Sequence, residues 1–403
     1  MYQTINNVRI WGEPIENAVS QAVTCANHGN VKQVLLMADH HKGYSQPVGG
    51  VVIYDGQVSP SGVGYDIACG NKAVRTNLQY TDIQNKLPQI MDQIAKEIAF
   101  GIGRINSNHI DHELFDHSDW DVFKQIGTQE HDSLKALARN QLGTVGSGNH
   151  FVDLFVEEAT GAVWIANHFG SRGFGHKTAS GFLNLAAGRK FSDKAPGESM
   201  DQAPTLLNLG DELGDMYMRA MGLAGIYAYA GRDYVIDQVL QILGANAVDT
   251  IHNHHNYAWK ENGYVVVRKG ATPSAPGQRG FIGGSMGDIS VIVQGKDSQE
   301  NKDSFYSTVH GAGRIMSRTE AAGKMNWKTR TRSGGKITAE QMDKAIKDFG
   351  VELRGAGTDE SPFVYKKLSS VLAAHAGTID ILHQLRPVGV VMAGANEFDP
   401  YKD

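Results

Sequence analysis

The glycines of this chain sit in clusters, and that placement limits its fold more than any other feature. There are 47 of them, and they follow no fixed period. This excludes collagen-like and solenoid chains. They flank short β-branched runs and isolated polar residues, a pattern of many tight loops that carry function. The stretch Gly62-Val63-Gly64-Tyr65-Asp66-Ile67-Ala68-Cys69-Gly70 is the densest example. Its glycines let Asp66 and Cys69 point at one centre, and a carboxylate converging with a thiolate forms half of a metal site. Taken alone, the stretch reads more simply as a turn with a small buried cysteine.

The 403 residues are 41% hydrophobic, enough for a large core in one big domain or several smaller ones. Net charge is −5, so no global field points to nucleic acid and any basic surface must be local. The two cysteines, Cys25 and Cys69, cannot build a disulfide framework, which fits a reducing compartment. The N-terminal residues lack a basic stretch followed by an apolar run, and no apolar run is long enough to span a membrane. These features predict a soluble, cytoplasmic protein.

Short apolar runs alternate with helical patterns along the chain. A helix is expected over Pro14 to Ala26, and strands at Val34–Met37 and Val51–Tyr54 with a polar loop, Ala38–Tyr44, between them. Ile83, Leu87, Ile90, Ile94 and Ile98 form a helical stripe that Pro88 either kinks or starts. Residues 101–140, with His109, His112, His117 and His131 among acids, read as a solvated surface excursion whose histidines bind no metal. Strands follow at Phe151–Val156, Val163–Ala166, Tyr264–Val267 and Ile289–Val293. The region from 203 to about 244 is helical, as one helix or as two broken at Gly231-Arg232-Asp233. Further helices are expected near 311–324, 339–349 and 362–375. The sum is an α+β chain of mixed and antiparallel sheets surrounded by helices, with residues 1–403 as one large domain.

Three histidine motifs change the reading of Asp66 and Cys69. Gly146-Ser147-Gly148-Asn149-His150-Phe151 enters a strand, Asn167-His168-Phe169-Gly170-Ser171-Arg172-Gly173 leaves one, and His252-Asn253-His254-His255-Asn256-Tyr257 offers three candidates. Each lies at an element boundary beside Gly or Asn, which packing alone explains poorly. Together they supply five donors, enough for two ions sharing the thiolate in a cleft suited to chemistry at phosphorus. Arg268-Lys269-Gly270-Ala271 and the following Gly/Pro loop, running to Gly283-Gly284-Ser285-Met286-Gly287, have the composition of a phosphate cradle without being a Walker loop. His310, in Val309-His310-Gly311-Ala312-Gly313-Arg314, precedes an expected helix whose positive end would keep it neutral and nucleophilic. Residues 264–336 hold 12 Lys/Arg against 5 Asp/Glu, which points to a polyanionic ligand.

Seven of these motifs, in this order and spacing from about residue 30 to the C-terminus, resemble the RtcB family of RNA ligases. The resemblance implies GTP- and Mn²⁺-dependent joining of an RNA 3′-phosphate or 2′,3′-cyclic phosphate end to a 5′-hydroxyl end, in RNA repair or tRNA processing. It implies two Mn²⁺ ions held by Asp66, Cys69, His150, His168 and His255, with Cys69 bridging. His310 would take GMP covalently. Asn149, Asp153, Ser285, Gly311, Ala312, Gly313 and Tyr365 would bind GTP, and Arg172 and Arg314 would lie toward the RNA. Asp39 and His41 match an Asp-x-His pair near the family's active site, with no role assigned. The implied partner is RNA (tRNA or rRNA), with an activating protein left open.

The chain departs from the family in three places. Asp153 replaces a glutamate that holds guanine, Val391-Met392-Ala393-Gly394 replaces a lysine-bearing C-terminal close, and Gly43–Pro47 lacks the usual glycines. Two other functions remain compatible with the residues. One is a binuclear metallophosphodiesterase, which needs the metal set without His310. The other is an RNA- or ribosome-binding family member that has lost ligase activity.

Overall fold

The computed structural model describes residues 1–395 and 397, apart from 109, 195–198, 327 and 330. The chain is α+β, and two sheets organise it. The six-stranded sheet runs, in spatial order, Gln3–Ile5, Val8–Ile10, Val31–His41, Val48–Tyr54, Tyr264–Lys269 and Asn256–Glu261. The larger sheet runs Ala247–His254, Gly70–Gln79, Ala162–Phe169, Phe151–Glu157, Ile379–Gly394, Ser290–Gly295 and Arg279–Ile282. Its eighth strand, Glu352–Ala356, lies parallel to Ile379–Gly394. His255 is the single residue between Ala247–His254 and Asn256–Glu261, where the chain steps from one sheet to the other.

Helices cover both sheets through their apolar stripes. Glu16–Ala26 buries Ala18, Val19, Ala22 and Cys25. Leu87–Glu97 buries Leu87, Ile90, Met91 and Ile94, and Pro88 sits in its first turn, where the missing N–H costs nothing. The largest core cluster joins Val34, Leu36, Val52 and Val267 to Phe174, Phe182, Tyr217 and Tyr227 on the helices. Among the described residues no helix is long and apolar enough to cross a membrane.

Several expectations are corrected. Residues 101–140 are not a surface excursion: Leu114, Phe115, Trp120, Val122, Phe123, Leu134 and Ala138 are buried in the largest core cluster. Trp120 packs on Phe174 at 5.0 Å between ring centroids. The segment shows no single period because it is pieced from 3₁₀ turns at Glu113–Asp116 and Ser118–Trp120 and helices at Asp121–Ile126 and Thr128–Gln141. His112 and His117 cap those turns, each Nδ1 accepting a backbone N–H (from Leu114 at 3.0 Å and Asp119 at 3.2 Å). His131 is buried, its Nδ1 2.8 Å from Asp132. Residue 109 lies outside the described residues.

The helix Glu212–Leu243 runs unbroken through Gly231-Arg232-Asp233. It starts with Glu212 and Asp215 at its positive end and stops at Gly244, which takes the left-handed conformation (φ 63°). Residues 38–41 are not loop but the end of Val31–His41, with Asp39 and His40 fully buried. Around 311–324 only Arg318–Ala322 is helical, because residues 283 and 311, and 314 and 365, pair as isolated bridges. Within 362–375 the α-helix is limited to Leu368–Ala373.

Candidate active site

Strand register gathers the histidine motifs. Gly70 pairs with both His254 and Phe169, and His168 pairs with Asn71 and Phe151. Cys69, His150, His168 and His255 therefore leave four neighbouring strands at the same end of the larger sheet. Asp66 reaches them from the turn before Cys69, and its carboxylate lies where a side chain at Gly170 would stand (Cγ 2.6 Å from an added Cβ).

The side chains form two donor groups that share one sulfur. Asp66, Cys69 and His150 make one, Cys69, His168 and His255 the other, with the ligand atoms of each group within 4.8 Å of one another. Cys69 Sγ is 3.1 Å from His168 Nε2 and 3.7 Å from His150 Nε2, which is 3.0 Å from Asp66 Oδ2. His150 Nδ1 donates to the Val145 carbonyl at 2.9 Å, so Nε2 is the nitrogen turned toward Asp66 and Cys69. His255 is buried, and its Nδ1 has no hydrogen-bond partner among the described residues. An orphaned imidazole nitrogen beside a thiol and a second imidazole fits a cation site.

Electrostatics agree with that chemistry. Burial holds His168 and His255 neutral, well below the usual histidine range, so each offers a lone pair. Burial pushes Asp66 up, but His150 and Arg172 outweigh it and hold the carboxyl at about 2. Burial and the Asp66 charge push the Cys69 thiol up, so its proton leaves when a cation takes its place.

Two of the three candidates in the His252–His255 motif are already engaged. Arg232, buried in the middle of the long helix, donates to the carbonyls of Ala68 (3.0 Å) and Phe169 (2.6 Å) and to His252 Nε2 (2.9 Å). Its Nη2 lies 3.0 Å from His254 Nδ1. The same guanidinium thus holds the two turns that carry Cys69 and His168 and keeps His252 and His254 out of the donor groups. Nothing in the sequence marked Arg232 beyond an apolar helix carrying an arginine.

His310 stands over these donors, its ring 4.8 Å from that of His255. No helix begins at residue 311, and the group set against the His310 ring is Asp39. Asp39 Oδ2 accepts from His310 Nδ1 at 2.6 Å and from the backbone N–H of His310 and Gly311 at 3.0 and 3.3 Å. Burial pushes Asp39 up, but the His310 charge and hydrogen bonds, with Lys366, overcome it and hold the carboxyl below its usual range. Gly313 (φ +75°) permits the approach, since an added Cβ would lie 2.9 Å from Asp39 Cα. His310 Nε2 is left facing the cleft.

The cleft has a volume of about 750 Å³. Asp66, Cys69, His150, His168, His255 and His310 line it, as do Asn149, Asp153, Ser285, Gly311, Ala312, Gly313, Arg314 and Tyr365. His41 also lines it. Asp153 is buried, its Oδ1 without a partner among the described residues, and burial raises its pKa well above the usual range. Arg314 is ion-paired to Glu360 at 3.5 Å and donates to Tyr365 Oη at 3.1 Å. Arg172 does not line the cleft; it sits behind His150, Nη1 3.2 Å from Nδ1, over Gly146.

The expected phosphate cradle at 268–287 is only partly in the cleft. Gly283 to Met286 line it, as do Lys269 and Gly270. Arg268 is fully buried in a bidentate pair with Glu261 (2.8 Å each), and Arg279 pairs with Asp249. Their fork-shaped pairing with carboxylates leaves neither free for phosphate.

A family model described as "tRNA-splicing ligase RtcB" matches residues 21–393. The chain is 30% identical over 416 residues to the RNA-splicing ligase RtcB of Escherichia coli (strain K12), covering 94% of this chain and 96% of that one. It is 30% identical over 436 residues to the tRNA-splicing ligase RtcB of Thermococcus kodakarensis, covering 90% and 88%. To the protein of the same name from Pyrobaculum aerophilum it is 31% identical over 437 residues, covering 89% and 87%.

Proposed function

The chain belongs to the RtcB family, and on that premise we propose that it is an RNA ligase with residues 1–403 as one catalytic domain. It joins an RNA 3′-phosphate or 2′,3′-cyclic phosphate end to a 5′-hydroxyl end, using GTP, two Mn²⁺ ions and a histidine–GMP intermediate. The observation that carries this reading is the pair of donor groups sharing Cys69 with His310 held above them by Asp39.

Asp66, Cys69 and His150 would hold one ion, and Cys69, His168 and His255 the other. Such ions supply charge neutralisation at the phosphate oxygens during displacement at phosphorus. The thiolate and imidazoles suit zinc as well as manganese, so the assignment of Mn²⁺ rests on the family.

The chain's own groups account for the group transfers. Asp39 accepts a hydrogen bond from His310 Nδ1–H, which keeps the proton on Nδ1 and leaves the Nε2 lone pair free. Nε2 attacks the α-phosphorus of GTP: an N–P bond forms, the bond to pyrophosphate breaks, and Asp39 balances the positive charge on the ring. An oxygen of the RNA 3′-phosphate then takes GMP from Nε2. The 5′-hydroxyl oxygen attacks the activated 3′-phosphorus, GMP leaves, and the hydroxyl proton passes to solvent. A cyclic phosphate is first opened by water.

Asn149, Ser285 and the Gly311-Ala312-Gly313 turn are assigned to the GTP phosphates, and Asp153 and Tyr365 to the nucleoside. Arg314 is assigned to the RNA side of the cleft, and Arg172 supports His150 from behind.

Incubation with α-labelled GTP and Mn²⁺, followed by a denaturing gel, tests the reading. The wild type should carry label and His310→Ala should carry none. Label retained in His310→Ala would remove His310 as the nucleophile. A wild type that cleaves phosphodiesters without ever labelling would leave the hydrolase reading, and one inert in both assays the binding reading.

A further inference from the structure

The excess positive charge of residues 264–336 can be followed to its partners. Arg268 is held by Glu261, Arg279 by Asp249, Lys296 by Asp380, Lys302 by Asp297, Arg314 by Glu360, and Arg318 by Asp359 and Glu360. Lys336 is held by Glu320, and Lys269 donates to the Tyr44 carbonyl inside the cleft. Lys324–Asn326 and Thr331–Ser333 pair antiparallel and, among the described residues, join no other sheet. Between residues 321 and 339 the sequence has five Lys/Arg and no Asp/Glu; of the five, Lys336 pairs with Glu320 and residue 330 lies outside the described residues.

Lys324 and Lys328 are exposed and Arg332 is half-buried. None of the three faces a carboxylate among the described residues; Arg332 Nη1 donates to the Gly323 carbonyl at 3.2 Å. Elsewhere on the surface cations are interspersed with acids and several pair with them, as Lys124 does with Asp121, Arg219 with Asp119 and Arg354 with Asp92. A solvated charged face would follow that mixed pattern. This hairpin does not.

Its position is fixed relative to the cleft. The helix Arg318–Ala322 leads directly into it, and Arg318 and Glu320 of that helix line the cleft. The returning chain is tied back by Lys336 and Ile337, whose N–H groups donate to Glu320 and Ala321 carbonyls at 3.0 Å. Gly335 packs where a side chain could not, an added Cβ falling 2.6 Å from the Ala322 carbonyl carbon. At the tip, Asn326 Oδ1 accepts from the N–H of Lys328 (3.0 Å) and Thr329 (3.4 Å). The unpaired cations are thus carried on a hairpin tied to a helix whose Arg318 and Glu320 line the cleft.

We propose that this hairpin grips the phosphodiester backbone of the substrate RNA beyond its reacting end, by charge and without reading bases. The inference rests on the ligase reading for the identity of the polyanion. Cations without acidic partners release counterions from a nucleic-acid backbone on contact, which gives affinity independent of sequence.

The test is a salt titration of binding to a fluorescent single-stranded oligoribonucleotide with a 3′-phosphate. It compares the parent, Lys324→Ala/Lys328→Ala/Arg332→Ala, Lys328→Ala alone, and the charge-conserving Lys324→Arg/Lys328→Arg. The triple variant should bind about tenfold or more weakly at low salt. Its log–log salt slope should shrink by about 2, at roughly 0.7 per single-strand phosphate contact. Lys328→Ala should lose about a third of that slope change, and the arginine variant should match the parent. Coincident thermal unfolding shows that the fold is kept. Parental affinity and slope in the triple variant would overturn the proposal, as would equal loss in the arginine variant. GMP labelling of the parent is read separately. A parent that labels while the triple variant binds RNA normally sinks the hairpin alone. A parent that never labels sinks the ligase reading, whatever the hairpin does.

Discussion

Asp39 decides which nitrogen of His310 faces the cleft, because its Oδ2 takes the Nδ1–H at 2.6 Å. Asp39→Asn would offer at best a neutral acceptor there and would place an amide N–H group against backbone donors. We predict that GMP labelling of Asp39→Asn slows by roughly two to four orders of magnitude, the scale seen when an imidazole loses its orienting carboxylate. Bound metal should stay at the parental level, since Asp39 belongs to neither donor group. An unchanged labelling rate would remove Asp39 from the mechanism; lost metal would make it a support of the metal site. The sequence showed Asp39 as part of an Asp-x-His pair without a role. Only the approach of residue 310 to a strand end 271 positions away supplied one.

At the scale of elements, two predictions follow from strand alternation and helix packing. Phe151 pairs with Met392 and Asp153 with Val390, and all four line the cleft, so residue 392 points into it and residue 393 points away. The missing family lysine is therefore a matter of position 392. With Asp153 and Met392 forming this wall, wild type should need more GTP and should also accept ATP or dGTP. Met392→Lys should lower the GTP concentration needed for labelling by about ten- to a hundredfold, the worth of one charge-assisted hydrogen bond of about 1.5–3 kcal/mol. Ala393→Lys should leave it unchanged. Strict GTP selectivity in the wild type would show that another group already fills the lysine's place. The second prediction concerns Gly231, which does not break its helix. An added Cβ there would meet Phe169 Cε2 at 3.4 Å, ordinary contact. Gly231→Ala should therefore raise stability by about 0.5–1 kcal/mol, read from the urea midpoint. Destabilisation would mean that the helix needs the glycine for its fit against Phe169.

Across the whole molecule, burial of imidazoles sets the response to acid. Burial pulls His40, His41 and His375 down to about 4, from an ordinary value near 6.5. Each is neutral in the folded chain and becomes protonated in the unfolded chain as pH falls below about 6.5. The unfolded state then binds more protons, so stability is full above that pH and is lost on the way down to about 4. The slope should be about 1.4 kcal/mol per pH unit for each of the three. Chemical denaturation of metal-free protein across this interval measures it. A midpoint that stays flat until carboxylates titrate would show that these histidines are not buried as described.

The sequence by itself determined the fold class, most strands, and the residues that converge. Glycine and asparagine beside His150, His168 and His255 are signals of local backbone geometry, and local geometry is written locally. The apolar runs at 151–156 and 163–166 likewise carry their own period and appear as paired strands. Residues 101–140 were misread because no single period spans four short pieces, although their apolar side chains enter the core. The helix expected at 311 failed for the opposite reason. Its local pattern was helical, but bridges to residues 283 and 365 outweighed propensity. Resemblance to the family singles out His255, and only the tertiary structure shows why His254 stays out of the donor groups: a guanidinium 22 residues away holds it. The tertiary structure also decided which cations of the hairpin remain without acids. Pairing between distant residues is a property of packing, and packing is fixed by the whole chain at once rather than by any stretch of it.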